Sequence, residues 1–334
     1  VKLKLENFQI TGSFKLRGAL NKLLSLSKSE KENGVIAVST GNHGKGVAYA
    51  SKVLGIKSTI YMSSMVPQYR RKAIENLGAK VEIVGQNSDE ADLFAKNLAK
   101  EKDISLIHPF DDEKVIAGQG SLAYEIFKEL NDTIDYLFIP IGGGGLISGF
   151  ISVFKQLSPK TKIIGVEPTG AASMHESLKN NKLIKLKQID TFVDGAAVKK
   201  SGKIAFELCK KYLDGIILVP EGYICQTILD MYNNEGIIAE PAGAMSLASL
   251  NFYKNKIKNK KILCLVCGGN NDITRMGIIK ERALLYTNLK HYFIINFPQR
   301  AGALKDFVTN ILGPNDDITH FEYSKKTSKE NGPA

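Results

Sequence analysis

Two hydrophobic rhythms alternate along the chain from Val35 to about Thr287. One is a short, nearly unbroken run of β-branched and aliphatic residues, the signature of a strand buried on both faces. The other spaces apolar residues three and four apart, as a helix lying on such a sheet requires. The first rhythm predicts strands at residues 35–39, 58–63, 80–84, 105–108, 136–141, 162–167, 216–219 and 262–266, with residues 2–5 already reading as a strand at the start. The second predicts helices between them, such as 46–54 and 68–77, stopped by Gly55 and Gly78, since glycine accepts the left-handed turn that closes a helix. Regular alternation of this kind gives an α/β fold, with parallel-rich sheets covered by helices on both faces.

Beyond Thr287 the rhythm restarts once: a strand at 291–297, a helix at 301–311 ended by Gly313-Pro314, and a strand at 318–323, followed by a polar tail. The expected organisation is a catalytic region over 1–287, with a smaller subdomain at about 34–130 inserted in it, and one βαβ unit over 288–334. Lacking an initiator Met at Val1 and breaking off soon after one βαβ unit, the chain reads as a piece cut at both ends.

A chain of 334 residues with 43% hydrophobic content buries one large core and a smaller one. No stretch approaches the roughly 20 apolar residues that cross a bilayer, and no signal peptide opens the chain, so a cytoplasmic protein with no membrane partner is expected. Four cysteines are too sparse for a disulfide scaffold. Cys264 and Cys267 form a C-x-x-C, but the pleat of a strand sends residues three apart to opposite faces, so separate roles and no metal site are expected. The net charge of +11 comes from lysines scattered without interleaved aromatics, which describes solvated helix faces and not a nucleic-acid surface.

Four stations carry candidate chemistry. The first is Thr11-Gly-Ser-Phe-Lys15-Leu-Arg, where Thr11 and Ser13 read as N-caps and Leu16, Leu20, Leu23 and Leu24 as a helical apolar stripe. Lys15 then lies in a first helical turn, where the positive end of the dipole favours the neutral amine that attacks a carbonyl. The second is Ser39-Thr40-Gly41-Asn42-His43, at the junction of a strand and a helix, where backbone N–H groups and small hydroxyls can grip a carboxylate. The third, Gly142-Gly143-Gly144-Gly145-Leu146, also joins strand to helix, and four glycines let several amides converge on one phosphate. Its spacing fits neither a dinucleotide fingerprint nor a P-loop, which points to a phosphorylated cofactor other than NAD or ATP. The fourth is Cys267-Gly-Gly-Asn-Asn271, where a neutral thiol could meet a ring nitrogen. Read singly, the first station is ordinarily a solvated lysine, the second as readily a tight turn, and the fourth more often a buried cysteine beside a glycine turn.

Together and in this order, Ser13-Phe-Lys-Leu-Arg-Gly-Ala19 and Gly142–Leu146 resemble the β-family, or fold type II, of pyridoxal 5′-phosphate (PLP) enzymes, and within it the threonine dehydratases. The resemblance implies that Lys15 holds PLP as a Schiff base with Phe14 beside it, that Asn42 bonds the ring 3-hydroxyl, and that Gly142 to Leu146 hold the phosphate. It further implies that Cys267 faces the ring nitrogen, where the family usually has serine, and that Ser39, Thr40, Gly41, Asn42 and His43 bind the substrate. The reaction implied is loss of water and ammonia from L-threonine to give 2-oxobutanoate, with the freed Lys15 amine removing the Cα proton. Serine racemase and serine dehydratase share the pattern. The racemase has a metal-binding acid where this chain has Ser173, yet carries a hydroxyl residue at the position of Thr40. A non-catalytic amino-acid-binding regulator is the third alternative.

The tail, Asn296-Phe-Pro-Gln-Arg-Ala-Gly-Ala-Leu304, resembles the ACT-like regulatory domain of biosynthetic threonine dehydratases. That resemblance implies isoleucine as an allosteric ligand, with sensitivity lost or weakened where only one unit is present, and a homo-oligomeric enzyme.

Overall fold

The computed structural model describes residues 1–130, 133–298 and 300–323. Gln299 of the tail motif and the polar tail from residue 324 lie outside the described residues. The chain divides into two compact units, Val1–Leu289 and Lys290–Ala334.

In the first unit every strand expected up to residue 266 forms. These are β1 (Lys2–Leu5), β2 (Val35–Val38), β3 (Ser58–Met62), β4 (Lys80–Ile83), β5 (Ser105–Leu106), β6 (Tyr136–Pro140), β7 (Lys162–Pro168), β8 (Gly215–Val219) and β9 (Ile262–Val266). They assemble into two sheets, β1-β9-β6-β7-β8 and β4-β3-β2-β5, with every pairing parallel. Parallel neighbours need crossover connections, and the helices supply them.

Cys264 pairs with Leu3 on one side and Phe138 on the other, so β9 runs through the middle of the larger sheet and all five of its residues are buried. Phe138, Phe150 and Phe154 fill the core on this sheet. Each contributes about 1.5–3 kcal/mol by leaving water. The second core joins Ile60, Ile74 and Ile107 to Leu16, Ala19 and Leu23 of the helix Lys15–Leu24, so that helix is anchored on the smaller sheet. Leu24 of the expected stripe is 54% exposed, which leaves the buried face narrower than the sequence suggests.

The helices Asn42–Leu54 and Gln68–Glu75 end before Gly55 and Gly78, which adopt φ of +66° and +96°. Among the described residues no helix is long and apolar enough to cross a membrane.

In the second unit the helix Ala303–Asn310 forms inside the expected range, but residues 291–297 and 318–323 form no strand. A strand needs a hydrogen-bonded neighbour, and among the described residues of this unit none forms. Ile294 is accordingly 99% exposed and Phe293 75%.

Candidate active site

All four stations leave the carboxyl ends of strands, where open α/β sheets bind ligands. Station one follows β1, station two β2, station three β6 and station four β9. The first and fourth are tied directly: Ser13 and Gly268 form an antiparallel bridge, Phe14 N–H donates to Cys267 O at 3.1 Å, and Gly269 N–H to Gly12 O at 2.9 Å. This bridge replaces the expected caps. The helix starts on Phe14 with no side-chain cap, and the hydroxyls of Thr11 and Ser13 are buried with no partner among the described residues. Arg17 secures the same helix through a two-pronged contact with buried Glu6, both bonds at 2.8 Å.

Lys15 is thereby fixed in the wall of a cavity together with Phe14, Cys267 and the run Gly142–Leu146. Its Nζ donates to Pro109 O at 2.8 Å and lies 5.3 Å from the Phe14 ring centroid. Burial lowers its pKa from 10.5 to about 8, opposed more weakly by Cys267 and Glu240. The neutral amine is therefore enriched about 300-fold at neutral pH over a free lysine. The cause is loss of solvent, not the helix dipole alone, since the amine sits in the protein interior.

The glycine turn closes the other end of the cavity. Gly144 stands before the helix Gly145–Leu157 at φ +91°, and a Cβ there would lie 2.5 Å from the Ala205 Cβ. A Cβ on Gly143 would lie 2.1 Å from the Phe110 ring, so the turn can run against that residue only without side chains. Among the described residues no group accepts from the amides of Gly142, Gly143, Gly144, Gly145 or Leu146. Unanswered donors at a helix N-terminus, in a cradle that a Cβ would fill, suit a phosphate, and the cavity leads from them to the Lys15 amine. The residues present thus fit PLP.

Station two stands beside this cavity and does not wall it. Ser39 Oγ accepts from the amides of Gly41 (3.1 Å) and Gly44 (2.8 Å), so it shapes the loop. His43 is buried, with Nε2 2.8 Å from Ile107 O. Burial and nearby Lys15 lower its pKa to about 3, so it stays neutral and structural. The amides of Thr40, Asn42 and His43 have no acceptor among the described residues and remain available to a carboxylate.

The sequence reading missed Glu240, the buried carboxyl that links the stations. Asn42 Nδ2 donates to both its oxygens at 2.7 and 2.9 Å, and Asn42 Oδ1 accepts from Asn270 Nδ2 at 2.6 Å. Burial pushes Glu240 up to about 7 against the Asn42 bond. Pro109 and Phe110 were missed too, although they follow β5 as the four stations follow their strands. Cys267 is buried, and desolvation holds its thiol well above the usual range. Cys264 Sγ instead contacts Ser246 O at 3.6 Å, so the two cysteines serve different places. Ser173 Oγ is 2.8 Å from Ser201 Oγ.

A buried amine facing a phosphate cradle across parallel-sheet ends defines a fold type II PLP enzyme, and comparison with known proteins agrees. The family model for pyridoxal-phosphate dependent enzymes matches residues 1–268, and that for the C-terminal regulatory domain of threonine dehydratase matches residues 281–334. L-threonine dehydratase biosynthetic IlvA of Halalkalibacterium halodurans is 52% identical, over 100% of this chain and 81% of that protein. Its namesake in Bacillus subtilis is 49% identical, over 99% and 79%. Among solved structures, the processed form of threonine deaminase isoform 2 from Solanum lycopersicum superposes with a TM-score of 0.81 at 42% identity, covering 84% of this chain and 82% of that one. The serine racemase from Dictyostelium discoideum gives 0.75 at 36%, covering 81% and 87%. The chain belongs to the biosynthetic threonine dehydratases of the PLP-dependent enzyme family.

Proposed function

We propose that this chain removes water and ammonia from L-threonine to give 2-oxobutanoate, the first step towards isoleucine, with PLP held on Lys15. The observation that carries the reading is that the Lys15 amine and the glycine turn wall one cavity. Bound there, PLP supplies an electron sink that acidifies the Cα proton of an amino acid. Lys15 Nζ, whose neutral form burial favours, would hold the cofactor and would then take that proton. The amides of Gly142–Leu146 would hold the phosphate, and Cys267 would offer the ring nitrogen an uncharged neighbour. Asn42, oriented by Glu240 and Asn270, would bond the ring hydroxyl. The amides of Thr40, Asn42 and His43 hold the substrate carboxylate, with Ser39 and Gly41 shaping their loop.

The small subdomain at about 34–130, a cytoplasmic location, a homo-oligomeric state and isoleucine as ligand of the C-terminal unit belong to the same proposal. Because the described tail forms no sheet, its response to isoleucine is expected to be weak. The test is purified PLP-loaded protein with L-threonine, followed as 2-oxobutanoate and ammonia, and repeated over an isoleucine titration. Turnover with a shallow isoleucine response supports the reading. A full inhibition curve contradicts the view of the tail, and conversion of L-serine to D-serine without release of 2-oxobutanoate from threonine contradicts the dehydratase.

A further inference from the structure

The segment 190–196 ends in Gly195 and Ala196, which wall the cofactor cavity beside the glycine turn, a Cβ on Gly142 lying 2.9 Å from the Ala196 Cα. Arginines grip the residues just before them. Arg282 Nη1 lies 3.1 Å from Asp190 Oδ2, its guanidinium carbon 4.2 Å from the Phe192 ring centroid. Arg275 Nη2 donates to Phe192 O at 2.6 Å, while its Nη1 lies 3.6 Å from Asp194 Oδ1. This side of the cleft is therefore fixed to the residues 275–282 that follow the larger sheet's last strand.

The other oxygen of Asp194 points elsewhere. Oδ2 lies 2.9 Å from Arg70 Nη2, on the helix Gln68–Glu75 that packs on the smaller sheet through Ile74. The same guanidinium donates through Nη1 to Thr40 O at 3.3 Å, inside the loop whose free amides face the substrate carboxylate. One carboxylate thus spans the gap between the two sheets' helices, with the cavity wall on one side and the substrate loop on the other. Asp194 is about one-third exposed and Arg70 about one-fifth, so the bridge lies at the mouth and not in the core.

We infer that Asp194 is a positioning residue for substrate: by joining Arg70 to Arg275 it sets how closely the 39–43 loop approaches the Gly195–Ala196 wall. It rests on the threonine reading above. Arg70 alone would leave the loop free to drift from the wall, and the amides that hold the carboxylate would lose register with the Lys15 amine. The phosphate cradle, which the bridge does not touch, keeps its grip on PLP.

The experiment compares steady-state turnover of L-threonine by PLP-loaded wild type, Asp194→Asn, Arg70→Gln and the double variant. Losing one partly exposed charge-assisted contact raises KM roughly tenfold in each single variant while PLP affinity is retained. The double variant is expected to be no worse than either single one, because both remove the same bridge. A merely structural role would lower the melting temperature and leave KM alone. Wild-type KM in both single variants, with wild-type enzyme active, overturns this inference. No turnover by wild type overturns the threonine reading and this inference with it. Should Asp194→Asn fail to fold, Arg70→Gln carries the same comparison.

Discussion

Replacing Lys15 with alanine abolishes release of 2-oxobutanoate from threonine, with turnover falling by at least about a thousandfold, the scale of a lost proton-transfer group. On the proposed mechanism the side chain has two duties, attaching the cofactor and moving the Cα proton, and no neighbour is placed to assume either. His43 is neutral and committed to Ile107 O, and Lys45 is bonded to Asn270 Oδ1 at 2.7 Å. The fold should survive, because the helix is held by Leu16 and Leu23 in the core and by Arg17 on Glu6. The measurement is turnover alongside far-ultraviolet circular dichroism: lost activity with an unchanged spectrum is expected, and residual turnover within tenfold of wild type would sink the assignment.

The second large effect is on the phosphate. Gly144→Ala puts a side chain on a residue at φ +91° and 2.5 Å from the Ala205 Cβ, so the turn must move and its converging amides must part. Losing even one charge-assisted bond costs about 1.5–3 kcal/mol, which weakens PLP binding roughly 10- to 100-fold. Gly55→Ala is the control: its φ of +66° carries a similar backbone strain, but a Cβ there meets open space. A spectroscopic PLP titration should show weakened binding for Gly144→Ala and wild-type binding for Gly55→Ala. Equal affinity in both variants would mean that the phosphate lies elsewhere.

The strands of the first unit were legible because parallel strands buried on both faces must be apolar throughout, as in β9, where Ile262 to Val266 are all buried. The stations were legible because glycine runs and strand-end loops are constrained by backbone geometry that leaves a mark in the sequence. Glu240 left no such mark. An acid before Pro241 reads as an ordinary helix start, and its pairing with Asn42 spans 198 residues. The same limit applies to the hydroxyls of Thr11 and Ser13, which read as caps until the Ser13 bridge to Gly268 takes over the chain's entry into the helix. The tail strands fail for another reason: alternating apolar residues state a preference for sheet, but a sheet also needs neighbours.

On the proposed mechanism, Lys15 and the glycine turn grip opposite ends of one PLP molecule. Borohydride reduction of the PLP-loaded protein, followed by digestion and mass spectrometry, tests this most directly. The pyridoxyl label is expected on Lys15 alone, and to be reduced in Gly144→Ala at PLP concentrations that just saturate wild type. A label on any other lysine in actively turning-over protein would contradict it.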